Sequence, residues 1–555
     1  MERETTAEEI PDAHSEDNGG VVKAAAVLAI GNVASRIIGL VRETVKANLF
    51  GASPLLAAYE VAAYIPNSLY DLIIGGMVNS SLVPVFSDYA SKERRQELWA
   101  LLSMVLSAAT ILLLLVVALV ELFAPQVAWL MGARNFNDPA LTAVTIRLIR
   151  LATPAVFFMS IASIFTGALY ALKRFTIPAF MGATLNGTVV IITLLWSDNV
   201  DSLIWGLLAG SLLQILLQWP ALTWEKSRAQ RGPRAQLRWQ LQWRHPAIRR
   251  ILQLYAPIVG GLVINQLAYA LSINLATRIG DNSVTYMRFA TTLYQFPLGL
   301  IVTALSIATL PTLSRQAVGQ LNAFKSTLAE GTRLVITLIM PAAAGLFALA
   351  APIITLLFQH GEFTPQDTVV TTLALQAYLF GLPFAAVDQM LIFASYARKD
   401  TLRPALVGVL SILIYLGTAV LLQRPLGTIG QALGRQMGLA GFTGLETLSN
   451  GLLSLMVADA LKHVVHTALM IWILRRQLQG LGGYGVAGAA FKSLAAAGIT
   501  GLAAYGTAVF LAPHLPFTLP GKLALVLAAG SAGLLAYTLM VFLLDIREAK
   551  ALPPK

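Results

Sequence analysis

The chain has 555 residues, 56% of them hydrophobic and only 12% charged, with a mean hydropathy of +0.69. Soluble domains carry about 25% charged residues, so an ordinary soluble protein is excluded and a large helical bundle in a membrane is expected. The absence of cysteine excludes disulfides, thiol catalysis and cysteine-based metal sites, and a net charge of +11 reads in such a chain as a topology signal rather than a nucleic-acid footprint.

Residues 1–20 are polar, with Glu2, Glu4, Glu8, Glu9, Asp12, Glu16 and Asp17. A cleaved signal peptide needs a basic start and a short apolar core; this stretch has neither and is expected to be a disordered acidic cytosolic tail. In the first apolar segment, 22–50, polar residues share one side. At about 100° per residue, Asn32, Ser35, Arg36, Gly39, Arg42, Glu43 and Lys46 fall within an arc of roughly 120°, and Ala34, Ile37, Ile38, Leu40, Val41 and Val45 fill the rest. A charge in a bilayer costs at least ~2.5–3.5 kcal/mol, so such residues face a bundle interior or a water-filled cavity. The segment is expected to wall a polar chamber. Arg36 and Arg42 suit an anionic headgroup, because the guanidinium fork makes paired charge-assisted bonds to phosphate. Glu43 would orient Arg42, and Lys46, close to the helix end, is expected to snorkel. The competing reading is an ion-pair network that only locks helices together.

A span needs about 20 mostly apolar residues. Further spans are expected at 55–86, 97–123, 143–172, 176–197, 201–223, 249–278, 285–314, 328–358, 367–397, 402–423, 449–475, 488–512 and 520–544, making fourteen. The second carries Glu60, Asn67, Tyr70, Asp71 and Asn79; Asp71 is expected to pair with an arginine of the first span or to line the cavity. Asn186 in the fifth is a further cavity group. Asp388 and Gln389 lie in the middle of the tenth, where a buried acid serves ion or proton coupling or a structural hydrogen bond. In the twelfth, Asp459 and Lys462 are spaced as an intrahelical pair, and His463 and His466 read as structural. There is no HExxH pattern and no P-loop, so neither zinc-dependent nor ATP-driven chemistry is expected, and no cofactor.

The loops sort by charge. Those after even-numbered spans carry Lys92, Arg94 and Arg95; Lys173 and Arg174; Lys226, Arg228, Arg231, Arg234, Arg238 and Arg244; Arg315 and Lys325; Arg398, Lys399 and Arg403; and Arg475 and Arg476. Those after odd-numbered spans are nearly bare, apart from Arg134, Arg424 and Arg435. The positive-inside rule then puts both termini in the cytosol.

The chain also repeats itself. YALKRFTIPA from Tyr170 matches YARKDTLRPA from Tyr396 at an offset of 226, and Pro84 and Ser87 in VPVFS match Pro311 and Ser314 in LPTLS at 227. IPN at Pro66 corresponds to FPL at Pro297 with a few residues of drift. The expected organisation is a six-helix half at 21–223, a basic cytosolic loop at 224–248, a second half at 249–476, two extra helices at 477–545 and a tail at 546–555. Six is even, so the halves are parallel repeats about a central cavity, an arrangement suited to alternating access.

SRIIGLVRE at Ser35–Glu43, LFGAS, IPN…VPVFSDY, ALYALKRFTIPAFMGATLN, YQFPLGLIVTALSIATLPTLS, LFQHGEFTPQDT and SYARKDTLRPA together resemble the MurJ/MviN family of lipid II flippases, in the multidrug/oligosaccharidyl-lipid/polysaccharide exporter superfamily. The resemblance runs through twelve spans, and the two additional C-terminal spans agree. It implies translocation of lipid II, a lipid-linked peptidoglycan precursor, across the bacterial plasma membrane for cell-wall synthesis, without ATP hydrolysis and driven by an ion gradient or the membrane potential. Membrane lipid and cell-wall synthesis proteins are the implied partners, with no nucleic acid. Another undecaprenyl-linked oligosaccharide, or cation-coupled export as elsewhere in the superfamily, is the alternative. The implied substrate-binding set is Ser35, Arg36, Arg42, Glu43, Asn67 and Asn186, with Glu60, Asp71, Arg288, Asp388 and Gln389 as cavity or coupling residues. The chain departs from the family at Tyr70, Asp71 and Thr292, where basic residues are usual, and at Ala57 and the Gly75–Gly76 region, where acids are usual. Either fewer arginines hold the pyrophosphate, or Arg288 or Arg278, from the seventh or eighth span, replaces the missing cations, or the substrate differs.

Overall fold

The computed structural model describes residues 13–223, 237–480, 482–546 and 548, and every regular element among them is helical. Long helical segments fall at each of the expected positions. They are α1 (Ala13–Phe50), α2 (Pro54–Ser87), α3 (Arg95–Leu122), α4 (Pro139–Ala171), α5 (Met181–Leu195), α6 (Asp201–Thr223) and α7 (Pro246–Ile279). Then come α8 (283–316), α9 (Leu321–Ala348), α10 (365–397), α11 (Leu402–Leu421), α12 (Leu452–Gln477), α13 (Val486–Leu511) and α14 (Leu519–Leu543). Among the described residues, ten helices are long and apolar enough to cross a membrane, and α10, whose pieces Pro365–Leu379 and Leu382–Ala397 meet at 45°, makes an eleventh. Helices α1, α5 and α8 fall below that measure, α1 through its charges and α5 through its brevity. The chain is a multi-pass membrane protein.

Helix starts follow local chemistry. Ser53 caps α2 through the Leu56 amide with Pro54 in the first turn, and Thr364 and Asp367 form a reciprocal capping box on α10, satisfying amides that a helix leaves unpaired. One boundary differs from expectation. Helix α1 begins at Ala13, so 13–20, expected to be disordered, is helical; its acidic sequence suits the positive end of a helix. Residues 1–12, most of the basic loop (224–236), 547 and 549–555 lie outside the described residues. Two short helices between α11 and α12, Gln423–Gln436 and Thr443–Ser449, were not expected. They pack closely because Gly427 and Gly430 leave no room for a side chain against the Ser449 and Leu448 carbonyls.

The repeat is written in the backbone. A π-helical turn at Asp71–Gly75 in α2 recurs at Leu298–Val302 in α8. The break in α4 between Ala152 and Ala155 recurs in α10 between Leu379 and Leu382. Lys173 and Lys399, which end α4 and α10, share a left-handed backbone at φ 56° and 61°. Each pair is separated by the offset of the sequence repeat. The halves α1–α6 and α7–α12 pack internally through α1 on α5, α5 on α6 and α6 on α4, and through α11 on α12, α10 on α12 and α9 on α10. Between halves, α8 meets α1 and α2, and α7 meets α2. Helices α13 and α14 pack on each other and on α9, outside the repeat.

Both ends of the seam between halves are bridged. At the end of the basic loops, Arg250 pairs with Asp88 at 2.6 Å, and the Tyr255 hydroxyl donates to the Leu72 carbonyl at 2.6 Å. At the opposite end, the Glu362 amide donates to the Asn48 carbonyl at 3.0 Å and the Asn137 amide to Asp281 at 3.0 Å. Gly361, at φ 54°, lies so close to Asn48 that a Cβ would strike its carbonyl.

Candidate substrate site

The polar arc of α1 meets α5 on one flank and α2 and α8 on the other. Gly182 allows α5 to press against the Ser35 hydroxyl, the close approach that small residues permit between membrane helices. One turn along α5, Asn186 then reaches α1. Its Nδ2 donates to the Ser35 carbonyl at 3.2 Å, and its Oδ1 accepts from Arg42 Nη1 at 2.9 Å. Arg42 Nη2 donates to Glu43 Oε1 at 2.7 Å, so Glu43 does orient Arg42. Four expected site residues, Ser35, Arg42, Glu43 and Asn186, are thus one hydrogen-bonded group.

Lys46 does not snorkel. It is buried to 1% exposure between Glu43, whose Oε2 is 2.6 Å from Nζ, and Glu60 of α2, and it lies over the Tyr59 ring. The physical reason is pairing: two carboxylates inside the bundle hold an ammonium that would otherwise reach for water. Arg288 of α8 joins the same acids across the seam, 3.7 Å from Glu43 and 3.5 Å from Glu60. Three cations face two acids, which leaves one positive charge in excess. Arg36 adds a second. Its guanidinium lies against Gly299, where no Cβ fits, it has no acidic partner among the described residues, and its buried Nε lacks a hydrogen bond.

The remaining expected residues separate. Asn67 is exposed and donates to the Ala63 carbonyl one turn back at 2.7 Å. Asp71 pairs with no arginine of α1; it is exposed, beside Gln266 of α7. Its neighbour Tyr70 bonds Ser163 of α4 at 2.6 Å. Thr292 closes a bond to its own helix at the Arg288 carbonyl. Arg288 stands one turn before Thr292 on the same face, so it is Arg288, and not Arg278, that brings a cation to the seam; Arg278 is exposed and held by Asn274 at 3.2 Å. Asp388 and half-buried Gln389 lie elsewhere, in α10, where Asp388 meets His466 of α12 at 2.5 Å. Asp459 and Lys462 form the expected intrahelical pair. Sequence reasoning missed Lys46 as a member of the site; the available signal was Glu60, one polar group early in α2.

A family described as "Lipid II flippase MurJ" matches residues 46–449. The chain belongs to the MurJ family. A probable lipid II flippase MurJ of Bdellovibrio bacteriovorus is 31% identical over 476 residues, covering 82% of this chain and 88% of that one. The lipid II flippase MurJ of Burkholderia cenocepacia is 28% identical over 381 residues, 68% of this chain and 73% of that one. Among solved structures, a lipid II flippase MurJ in an inward closed conformation superimposes with a TM-score of 0.72 at 20% identity, over 94% of this chain and 100% of that chain. A multidrug-resistance MATE transporter of the MOP superfamily, in an inward-facing conformation, gives 0.62 at 13% identity over 82% and 98%. The MurJ fold thus extends through α13 and α14, and its likeness to MATE transporters concerns the fold alone.

Proposed function

We propose that this protein is a lipid II flippase of the bacterial inner membrane. It has both termini in the cytosol and fourteen crossings, and it moves the precursor outward by alternating access between its two halves. The observation that carries the reading is the charge at the seam. Arg42, Lys46 and Arg288 exceed Glu43 and Glu60 by one positive charge, and Arg36, further back along α1, has no acidic partner among the described residues. Two uncompensated positive charges match the two negative charges of a pyrophosphate diester. Arg36 offers its free guanidinium edge, Arg42 is held in register by Glu43 and Asn186, and Arg288 carries the contact to the other half. Binding the pyrophosphate would link the two halves, because Arg36 and Arg42 stand on α1 and Arg288 on α8. Asn67, exposed on α2, supplies polar contact to the saccharide. Transport needs no ATP and is driven by an ion gradient or the membrane potential.

An exporter of cationic compounds would need free acids at this seam. Glu43 and Glu60 are both engaged by cations, which favours the anionic substrate. The test is complementation of a strain depleted of its own lipid II flippase. Wild type restores growth and cell shape, Arg42→Ala and Arg36→Ala do not despite normal membrane insertion, and Asp71→Ala does. Failure of inserted wild type to complement overturns the substrate, and full activity of both arginine variants overturns the site.

A further inference from the structure

The end of the loop between the two halves carries a pattern foreign to a helical protein. Leu237, Arg238, Trp239, Gln240, Leu241, Gln242, Trp243 and Arg244 alternate apolar and polar without a break, the period of an extended chain with two unlike faces. Two hydrogen bonds hold this segment. The Arg238 amide donates to Ser103 Oγ at 3.1 Å and the Gln240 amide to Ser107 Oγ at 3.0 Å. The serines stand one turn apart on α3, about 6 Å along its axis, and two residues of extended chain span about 6.6 Å, so the segment runs as a strap along α3. Both hydroxyls are buried, and each also donates one turn back, to the Trp99 and Ser103 carbonyls at 2.8 Å. An amide in water finds an acceptor there; at membrane depth it must be satisfied by protein. Leu237 packs against the core that α2, α3 and α4 share, but the rest of the apolar edge is uncovered: Trp239 is 67% exposed, Trp243 53% and Leu241 43%. Farther along α3 come the exposed Ile111, Leu112, Leu114 and Leu115 of its lipid-facing stretch. Helix α3 has 28 residues, or about 42 Å, against about 30 Å for the hydrocarbon core. Ser103, about 12 Å from its start, therefore lies close to where headgroups give way to acyl chains.

We propose that residues 237–244 are a membrane-interface anchor, with Trp239, Leu241 and Trp243 set into the lipid of the cytosolic leaflet and Arg238 and Arg244 directed to its phosphates. Tryptophan concentrates at this level because a large apolar ring with one polar N–H suits a boundary that is dry on one side and wet on the other. Arginine matches the phosphates that lie there. The anchor also bears on the connection between the halves. Its last bond to α3 is at Gln240, and α7, the first helix of the C-terminal half, opens at Pro246. The second half is thus tied to the first at the bilayer surface, next to the Arg250–Asp88 bridge, and not through a free tether. Contact with lipid does not depend on what is transported; only the choice of leaflet rests on the orientation given above.

The chain has no cysteine, so a single introduced thiol reports on one position. Trp239→Cys, Leu241→Cys and Trp243→Cys on the apolar side, and Gln242→Cys and Arg244→Cys on the polar side, are each labelled with the fluorophore NBD in the full chain, in liposomes of phosphatidylcholine and phosphatidylglycerol. The first three are expected to be quenched by lipids brominated near the top of the acyl chains and shielded from aqueous iodide, and the other two to show the reverse. Any result in which the three apolar positions lack bromolipid quenching, or share it equally with the other two, overturns the anchor. Combining Ser103→Ala with Ser107→Ala is expected to abolish bromolipid quenching at 239 and 243, with thermal unfolding verifying that the protein is folded; unchanged quenching in the folded variant overturns the part given to the two hydroxyls. In membrane vesicles of known sidedness, external iodide is expected to quench position 242 only where the cytosolic face is outward. Quenching only with the opposite face outward would overturn the orientation and leave the lipid anchor standing.

Discussion

Lys46 shows how far position in a sequence can mislead about a charge. Its place near a helix end suggested a side chain reaching for water, and only the fold reveals Glu43 and Glu60 on either side of it. Breaking a buried pair from one side strands the partner's charge, at about 3–5 kcal/mol. Lys46→Met is therefore expected to lower the thermal unfolding temperature sharply, and adding Glu60→Gln to recover part of the loss. Simple additivity of the two changes would show that they do not interact. Arg36 is the opposite case. It has no acidic partner among the described residues, so Arg36→Ala should leave unfolding unchanged while weakening lipid II binding. A charge-assisted bond is worth about 1.5–3 kcal/mol, or roughly 10- to 100-fold in affinity, which equilibrium binding in detergent would measure. The polar arc on α1 was legible because helical periodicity is local. Arg288 was legible only as one of two candidates, since its reach across the seam depends on how α8 is placed.

At the scale of elements, the spans were legible because each is a long apolar run, and the repeat was legible because its turns keep Tyr, Lys and Pro at one offset. The π-turns were not: nothing in the residues at 298–302 distinguishes a π-turn from an α-turn. The 45° bend of α10 falls where Gly381 and Pro383 interrupt the helix. These paired interruptions fall at corresponding positions of the two halves, where transporter helices break beside their binding sites. The left-handed ends of α4 and α10 make a separate prediction. A left-handed conformation costs a lysine about 1–2 kcal/mol relative to glycine. Lys173→Gly and Lys399→Gly should each raise the thermal unfolding temperature slightly; a fall in either would mean that the lysine side chain contributes more than its backbone strain costs.

For the whole molecule, alternating access requires the seam to open at each end in turn. At the end away from the basic loops it is held where 361–363 lies on the end of α1. The chain has no cysteine, so Asn48→Cys with Glu362→Cys gives one defined crosslink there. Oxidation is expected to stop transport and reduction to restore it; undiminished flipping by the fully crosslinked protein would refute a cycle that opens this end. The parallel arrangement of the halves could be read from an even number of spans per repeat, whereas the seam contacts could not, because they join residues 144 or more positions apart. The central claim is that the excess positive charge at the seam receives the pyrophosphate of lipid II, and reconstituted flipping tests it most directly. Wild type should move lipid II across proteoliposomes, and Arg36→Ala and Arg42→Ala should be slowed about tenfold or more. Equal rates for all three proteins, or no movement of lipid II by wild type, would contradict it.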